Sequence, residues 1–314
     1  MSQAKTTSWI YKFLLLGTIW GSSFLFISFG LDVLTPTGIA FWRSAIGALT
    51  LLLVLVVLRI KLVRGWATWF KLWIAGLFMS AMPAVLFGYA QQHVTSALAA
   101  ILNASTPIFT VIAILIAFRA EKPKPTVLVG LGVGLVGVFV VLGIWRGFGT
   151  SDPLAIGALI LAVTCYGIGS PFLRKYVEPL KLKPEAAVFG QVSTSALTLL
   201  PFYLSGALFV GPLNFNSVAS MLALGILGTG LAYVMYYRLL AQVGSAIGSA
   251  VTYMSPIVGV ILGLLVLGEQ ITWNEPVGAL IVLFGAAIAQ GRIKSGRIKV
   301  GRITSGRTKL SQKK

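Results

Sequence analysis

The chain has 314 residues, of which 57% are hydrophobic and 10% charged, and its formal net charge is +18. So few charged residues could not cover the surface of a water-soluble domain of this length, which excludes a soluble enzyme or binding module. The positive charge would suit a nucleic-acid partner, but no aromatic interleaving or base-reading module accompanies it, and we expect no nucleic-acid binding.

Ten apolar segments follow one another along the chain, each about 17 to 22 residues long, close to the roughly 20 residues that a helix needs to cross hydrocarbon. Their continuous apolar runs lack the alternation of barrel strands. The first segment has no small-residue cleavage site and is expected to remain as an anchor. We therefore predict an all-α membrane protein with ten transmembrane helices, at 13–29, 37–58, 72–90, 97–118, 127–144, 154–173, 186–204, 218–237, 246–267 and 273–289.

The basic residues lie in alternate gaps between these segments. The positive-inside rule places such gaps in the cytoplasm. The prediction is a multi-pass protein of the cytoplasmic (inner) membrane with both termini inside. The basic gaps hold 23 of the 25 Lys and Arg residues, at 5–12, 59–71, 119–124, 174–183, 238 and 292–314.

The sequence is doubled, and its second half follows the first at an offset of about 148 residues. At this offset Pro36 pairs with Pro184, and Gly-Ala-Leu-Thr-Leu-Leu at 47–52 pairs with Ser-Ala-Leu-Thr-Leu-Leu at 195–200. Farther along, the Ser-Ala and Pro-Ile pairs of the fourth span recur in the ninth. This similarity predicts two structural repeats of five spans each.

The predicted repeats are residues 1–147 and 148–290. Five is an odd number, so the second repeat must enter the membrane from the opposite side. Inverted repeats around a central cavity are typical of transporters that work by alternating access, with the substrate site near the midplane. We therefore predict a secondary transporter.

Residues 291–314 form a basic tail with a degenerate five-residue repeat that begins with Gly-Arg. A period of five does not follow one face of a helix, and the glycines weaken helix formation further. We expect a disordered cytoplasmic tail. It either holds anionic lipid head groups, at about 1 kcal/mol per basic residue, or only fixes the topology.

Four short motifs suggest a family. The first span contains Trp-Gly-Ser-Ser-Phe at 20–24, the second contains Phe-Trp-Arg at 41–43, and the fourth and ninth share Ser-Ala followed by Pro. The ninth closes on Leu-Gly-Glu at 267–269. Together these resemble the drug/metabolite transporter superfamily, and more narrowly its EamA-type ten-helix exporters, which include exporters of aromatic amino acids. The resemblance covers about residues 13 to 290.

This resemblance implies a basket in which helices 1, 3, 4, 6, 8 and 9 surround the cavity. Aromatic residues in those spans would suit an apolar or aromatic solute, although packing is the commoner role of an intramembrane aromatic ring. The aromatic candidates for substrate binding are Trp20, Tyr166, Tyr233 and Tyr253, and the other candidates are Ser23, Arg43, Met79 and Asn103.

Three prolines are candidate hinges. Pro107 and Pro256 lie about eleven residues into the fourth and ninth spans, near mid-membrane, and Pro83 lies within the third. Proline leaves the carbonyl four residues back without its helical partner. In lipid that carbonyl must find another partner, which a cavity, water or a substrate can supply. The carbonyls concerned are those of Asn103 and Thr252. The Asn103 side chain either lines the cavity or makes a hydrogen bond between helices.

Arg43 is the only basic residue well inside a predicted span, roughly 9 Å from its outer end. Such a charge costs roughly 2.5 to 3.5 kcal/mol at the bilayer centre, which makes it a functional candidate. It either ties the helix to loop carbonyls or contacts a substrate carboxylate or gate. Its repeat mate is Gln191, so the charge is not a symmetric requirement of the fold.

No predicted span carries Asp or Glu at its middle, and His93 lies in an outward loop, where a solvated histidine is expected. Facilitated diffusion or exchange therefore fits better than proton antiport. One His, one Cys and no midplane acids also provide no nucleophile–base pair or metal cluster. We expect no catalytic activity, no metal and no cofactor.

Two further patterns concern packing. Gly130 and Gly134 in span five, with Gly278 and Gly285 in span ten, predict a close helix–helix seam, within the monomer or in a weak homodimer. Aromatic residues at span ends are expected to anchor the protein at the membrane interface. They are Trp9, Tyr11, Trp66, Trp69, Trp73 and Trp273.

The predicted function is export of small metabolites, chiefly neutral or aromatic amino acids, by alternating access. The expected partners are the small-molecule substrate and the lipid bilayer. One alternative is a carrier of drugs or of other metabolites, such as purines or nucleotide sugars, in the same superfamily. A passive channel is the alternative from a different class.

Overall fold

A computed structural model of the chain describes residues 2–118, 125–143, 145, 152–206, 209–236, 238, 239, 251 and 253–289. Within them, helices occur at every predicted span. The predicted tail at 291–314, and residues 246–250 and 252 of the predicted ninth span, lie outside the described residues. The helices are α1 (Ser2–Leu31), α2 (Pro36–Val57), α3 (Trp66–Ala90), α4 (Ser96–Ile116), α5 (Pro125–Leu142), α6 (Pro153–Leu180), α7 (Pro184–Ser205), α8 (Phe215–Tyr236), α9 (Met254–Leu267) and α10 (Asn274–Ala289).

In the described part of the chain, the eight helices α1 to α8 are long and apolar enough to cross a membrane. Helices α9 and α10 are shorter apolar helices. An all-helical, multi-pass membrane protein is therefore confirmed. The count of ten spans stays a prediction, since the described residues contain eight candidate spans and two shorter apolar helices.

Three helices extend beyond their predicted bounds because charged residues end an apolar run without ending a helix. Helix α1 begins at Ser2 and not at residue 13. Helix α3 begins at Trp66, directly after Gly65 with its positive φ of 88°, and not at residue 72. Helix α6 continues past residue 173 to Leu180, and the chain then turns at Lys181, which has a left-handed conformation. Long basic side chains can reach polar surroundings while their backbone remains helical.

Four helices contain wide turns in which the backbone follows an i→i+5 pattern. Such turns often occur at functional sites. Pro83 directly follows the wide turn of α3, and Pro107 restarts α4 after a break at residues 104–105. The wide turns lie at Leu77–Ala81 in α3, Ile114–Phe118 in α4, Leu173–Val177 in α6 and Ala223–Leu231 in α8.

The helices pack in pairs that correspond when the two halves are exchanged. Helix α1 packs on α9 as α6 packs on α4, and α2 packs on α8 as α7 packs on α3. Helices α2 and α7 are equivalent in the two halves and pack on each other, and so do the equivalent helices α5 and α10. A doubled sequence therefore corresponds to a doubled pattern of helix contacts.

Glycines allow α5 and α10 to approach each other closely. A Cβ atom at Gly137 would lie 2.6 Å from the backbone nitrogen of Val282, and one at Gly285 would meet the backbone nitrogen of Gly134. Neither contact leaves room for a side chain. The seam predicted from the glycine pattern lies within one chain.

Glu269, just after α9, caps the start of α4. Its carboxylate accepts hydrogen bonds from the backbone N–H groups of Ser96, at 2.6 Å, and Ala97, at 3.0 Å. Both donors are buried. A negative charge at a helix N-terminus is stabilised by the helix dipole as well as by these bonds.

Replacing Glu269 by alanine should lower the free energy of unfolding by about 3 kcal/mol, because two buried donors lose a charged acceptor. Thermal unfolding in detergent measures the effect, with Glu178→Ala as control because Glu178 is exposed at the end of α6. Equal stability of the two variants would contradict the capping role.

Candidate functional site

A cavity of about 420 Å³ lies between α1, α2, α3, α4, α6, α8 and α9. This volume falls within the range of small-molecule sites in proteins, roughly 300 to 1,000 Å³. The cavity is lined by Trp20, Ser23, Phe24, Ile27, Arg43, Met79, Phe87, Asn103, Thr106, Pro107, Thr110, Val111, Tyr166, Ser170, Tyr233, Tyr236 and Ser255.

The cavity lining brings together most of the residues selected from the sequence. Tyr253 is not part of the lining, whereas Ser255, two residues later, is. Of the candidate hinges, Pro107 lines the cavity, and Pro83 and Pro256 are buried beside it in their helices. The selected residues in the lining are Trp20, Ser23, Arg43, Met79, Asn103, Tyr166 and Tyr233.

Aromatic rings form two groups in the cavity wall. The Trp20 ring lies 6.0 Å from that of Tyr233, with the planes at 66°, and 5.1 Å from that of Tyr236. In the other group, Phe87 lies 6.2 Å from Tyr166. Edge-on and tilted contacts of this kind are favourable and hold the rings in fixed orientations in the cavity wall.

The wide turn of α8 orients two side chains of the cavity. The Trp20 indole donates to the carbonyl of Gly228 at 3.3 Å, and Arg43 Nε donates to Thr229 Oγ1 at 3.0 Å. The Thr229 hydroxyl itself donates to the carbonyl of Leu224, five residues back, at 2.9 Å. Because its proton is used there, the Thr229 oxygen presents a lone pair to Arg43.

Small residues bring α2 and α8 close enough for this bond. A Cβ atom at Gly225 would lie 2.5 Å from the Ile46 side chain, and one at Gly230 would lie 2.8 Å from Thr50. Glycine on α8 therefore permits the approach that places Thr229 against α2. Arg43 is therefore held by a residue of a neighbouring helix, which neither of the two expectations for it named, and its contact with a substrate carboxylate or gate stays a prediction.

An equivalent bond occurs in the other half, with a neutral donor. Gln191 Nε2, on α7, donates to Ser80 Oγ at 3.0 Å, and Ser80 lies in the wide turn of α3. Gln191 follows Arg43 by 148 residues, and Thr229 follows Ser80 by 149. Both halves therefore tie their second helix to a wide turn, and only the first half does so with a cation.

The Arg43 guanidinium has no carboxylate partner within 4.0 Å in the described part of the structure, where Arg238 pairs with Glu185 and His93 Nδ1 lies 3.8 Å from Asp152 Oδ2. The His93–Asp152 pair joins the loop after α3 to the start of α6, away from the cavity. A cation without a counter-ion in a mostly apolar cavity favours an anionic ligand group.

The Pro107 break has a local solution that the sequence did not predict. The Thr106 hydroxyl donates to the Asn103 carbonyl at 2.7 Å, and so replaces the backbone bond that proline removes. The freed carbonyl therefore finds a partner within its own helix, in a hydroxyl three residues along the chain. Thr252, its counterpart in α9, lies outside the described residues.

Several lining residues were missed that share a helix face with a predicted one. Thr106 and Thr110 lie one and two turns after Asn103, Ser170 lies one turn after Tyr166, and Tyr236 lies three residues after Tyr233. Helical spacing was the signal that could have identified them. Phe24 and Phe87 have the same helical spacing from Trp20 and Met79, but an apolar residue at that spacing resembles any packed residue.

A model of the EamA-like transporter family matches the chain twice, over residues 7–143 and 153–290. An uncharacterized transporter of Archaeoglobus fulgidus is 28% identical over 282 residues, which are 86% of this chain and 94% of the relative. The uncharacterized transporter YoaV of Bacillus subtilis is 27% identical over 274 residues, or 85% and 91% of the two chains.

The uncharacterized inner membrane transporter YedA of Escherichia coli is 24% identical over 285 residues, covering 86% of each chain. A crystal structure with 18% sequence identity superposes with a TM-score of 0.61 and covers 92% of this chain and 99% of its own. At that identity, the structural likeness supports the fold alone.

Proposed function

Because the chain belongs to the EamA-like transporter family, we propose that it is a secondary transporter that exports small metabolites, chiefly neutral and aromatic amino acids. The central cavity carries this proposal, since aromatic rings from both halves meet there around one fixed cation. Membership in a transporter family is also consistent with a protein that is not an enzyme.

The proposed architecture is ten membrane spans in two inverted repeats, 1–147 and 148–290, with both termini in the cytoplasm. Alternating access would rock one half against the other around the cavity. The helix pairs that correspond when the halves are exchanged support this mechanism. The glycine seam between α5 and α10 supports a monomer as the working unit. We propose separately that the basic tail lies at the lipid surface.

The cavity matches an aromatic amino acid in two respects. Trp20, Tyr233 and Tyr236 offer ring faces to an aromatic side chain. Arg43 offers N–H donors in the planar arrangement that suits a carboxylate. Asn103 adds neutral polarity to the lining, and the volume of about 420 Å³ admits one such molecule.

Counterflow in proteoliposomes tests the proposal. Vesicles preloaded with an amino-acid mixture are challenged with radiolabelled Phe, Trp, Leu, Thr and Lys. Saturable uptake of Phe and Trp, exceeding that of Thr and Lys, is the expected result. Uptake of a purine or a hydrophobic drug in place of amino acids would favour the other carriers, and conductance that does not saturate would indicate a channel.

Replacing Thr229 by valine should reduce amino-acid uptake about three- to tenfold, chiefly through a higher KM, with little loss of folded protein. Valine keeps the shape of threonine but removes the acceptor that fixes Arg43 Nε, so the guanidinium loses its orientation. Thr198→Val is the matched control, because Thr198 lies outside the cavity, where it accepts a bond from Trp73. Equal uptake by both variants would show that Thr229 does not position Arg43.

A further inference from the structure

We infer that the cavity recognises the carboxylate of its substrate and does not require the amino group. Aromatic 2-hydroxy acids and other aromatic monocarboxylates should then be carried at least as well as the corresponding amino acids. This inference rests on the proposed function, since it concerns the same cavity. It narrows the substrate class to aromatic molecules that carry a carboxylate, with or without an amino group.

The charges of the chain give the first argument. The sequence has only seven carboxylates, and six of them lie in the described residues, none in the cavity lining. The seventh, Glu121, lies outside the described residues. Arg43 is the only Lys or Arg among the lining residues. The described cavity therefore carries one positive charge and no negative charge.

The geometry of Arg43 gives the second argument. Its Nε is held by Thr229, and no hydrogen bond joins its Nη groups to the described residues. A guanidinium can bind both oxygens of a carboxylate through parallel N–H donors. Tyr166 and Tyr233 line the same cavity as Arg43, so its charge shares that cavity with the aromatic wall.

An ammonium group finds a poorer match. The polar lining contains neutral groups, such as Asn103, Ser23 and Thr110, and no carboxylate. Aromatic rings can hold a cation, at roughly 0.5 to 2 kcal/mol. Arg43 lines the same cavity, however, and its charge opposes a second positive charge there. A ligand without the ammonium group therefore loses little binding free energy, and it avoids the free-energy cost of removing that group from water.

The repeat shows that the charge is not needed for the helix contact itself. Gln191 makes the corresponding bond to Ser80 with a neutral amide. An arginine in place of glutamine adds a charge and four Nη hydrogens to the same contact. The helix contact does not need this charge or these Nη hydrogens, so they are available to a bound anion.

Three ligands with one carbon skeleton test the inference in wild-type proteoliposomes. L-Phenylalanine has both charges, L-3-phenyllactate replaces the ammonium by a hydroxyl, and L-phenylalaninol replaces the carboxylate by a hydroxymethyl group. Each competes from outside against counterflow of labelled phenylalanine, and labelled phenyllactate is tested directly, with protein-free liposomes to correct for leak. Phenyllactate should inhibit half-maximally at or below the concentration of phenylalanine, and phenylalaninol only at a concentration at least tenfold higher.

Arg43→Gln should weaken phenyllactate at least tenfold and bring the three ligands within about threefold of one another. Arg64→Gln, which removes an exposed arginine from the loop after α2, should leave the order unchanged. If Arg43→Gln does not fold, Arg43→Lys replaces it. That variant should still bind phenyllactate more tightly than phenylalaninol. Its affinities for phenyllactate and for phenylalanine should both be lower than those of the wild type.

The outcomes separate this inference from the proposed function. Phenylalanine transport with phenyllactate at least tenfold weaker would overturn the inference and leave the proposed function standing. Phenyllactate transport without phenylalanine transport would support the inference and overturn the amino-acid assignment. Transport of neither would overturn both.

Discussion

Leucine at Gly137 is expected to prevent recovery of folded, monodisperse protein. A Cβ atom at this position would lie 2.6 Å from the backbone nitrogen of Val282 and 3.0 Å from the carbonyl of Gly278. Backbone atoms cannot move aside as the end of a side chain can, so α5 and α10 would have to separate. Overpacking typically costs 1 to 3 kcal/mol, and we expect at least about 3 kcal/mol here.

Gly132→Leu is the matched control, since Gly132 lies on the same helix and no atom of a neighbouring helix lies within 4 Å of the position that a Cβ atom would take there. Fluorescence-detected size-exclusion chromatography of both variants measures the difference. Gly132→Leu should elute as the wild type does. A normal elution profile and melting temperature for Gly137→Leu would show that the two helices do not depend on this close contact.

Trp20→Ala is expected to reduce the rate of amino-acid uptake at low substrate concentration by at least tenfold. The substitution removes the ring that contacts Tyr233 and Tyr236, together with the hydrogen bond to Gly228. It also enlarges a space that is already open, so the loss of stability should be smaller than for a fully packed tryptophan. Trp20→Phe keeps a ring and should lose about threefold.

Trp273→Ala provides the control, because Trp273 is 58% exposed and stacks on Trp145, outside the cavity. Uptake by this variant should match that of the wild type. Each variant is compared per amount of folded protein. Equal uptake by Trp20→Ala and Trp273→Ala would remove the aromatic wall from the substrate site.

Most of the fold could be predicted because lipid restricts the choices of the chain. A backbone in hydrocarbon must satisfy its own hydrogen bonds, so long apolar runs become helices. The predicted helix ends were wrong outside the apolar runs, as at Trp66 and Leu180, because a helix can continue among charged residues. The wide turns also could not be predicted, since an i→i+5 turn depends on tertiary packing and lacks a reliable composition.

The candidate site was predicted in outline, and its interactions were not. Arg43 attracted attention through its depth, but the sequence did not reveal its partner Thr229, 186 residues away. Tyr253 and Ser255 show the limit of placing residues by span alone. Two residues on a helix differ by about 200° in direction, so one can line a cavity from which the other is turned away.

The α5–α10 seam has a further property. Gly137 lies against the carbonyl of Gly278, and Gly285 lies against the carbonyl of Gly130, which is the same contact with the halves exchanged. Reciprocal contacts of this kind define the interface of a twofold homodimer. The chain is thus built like two identical subunits joined in one polypeptide. In a true homodimer an arginine would occur in both subunits. Because the two copies form one polypeptide, their sequences can differ, and the position that is Arg43 in the first half is Gln191 in the second.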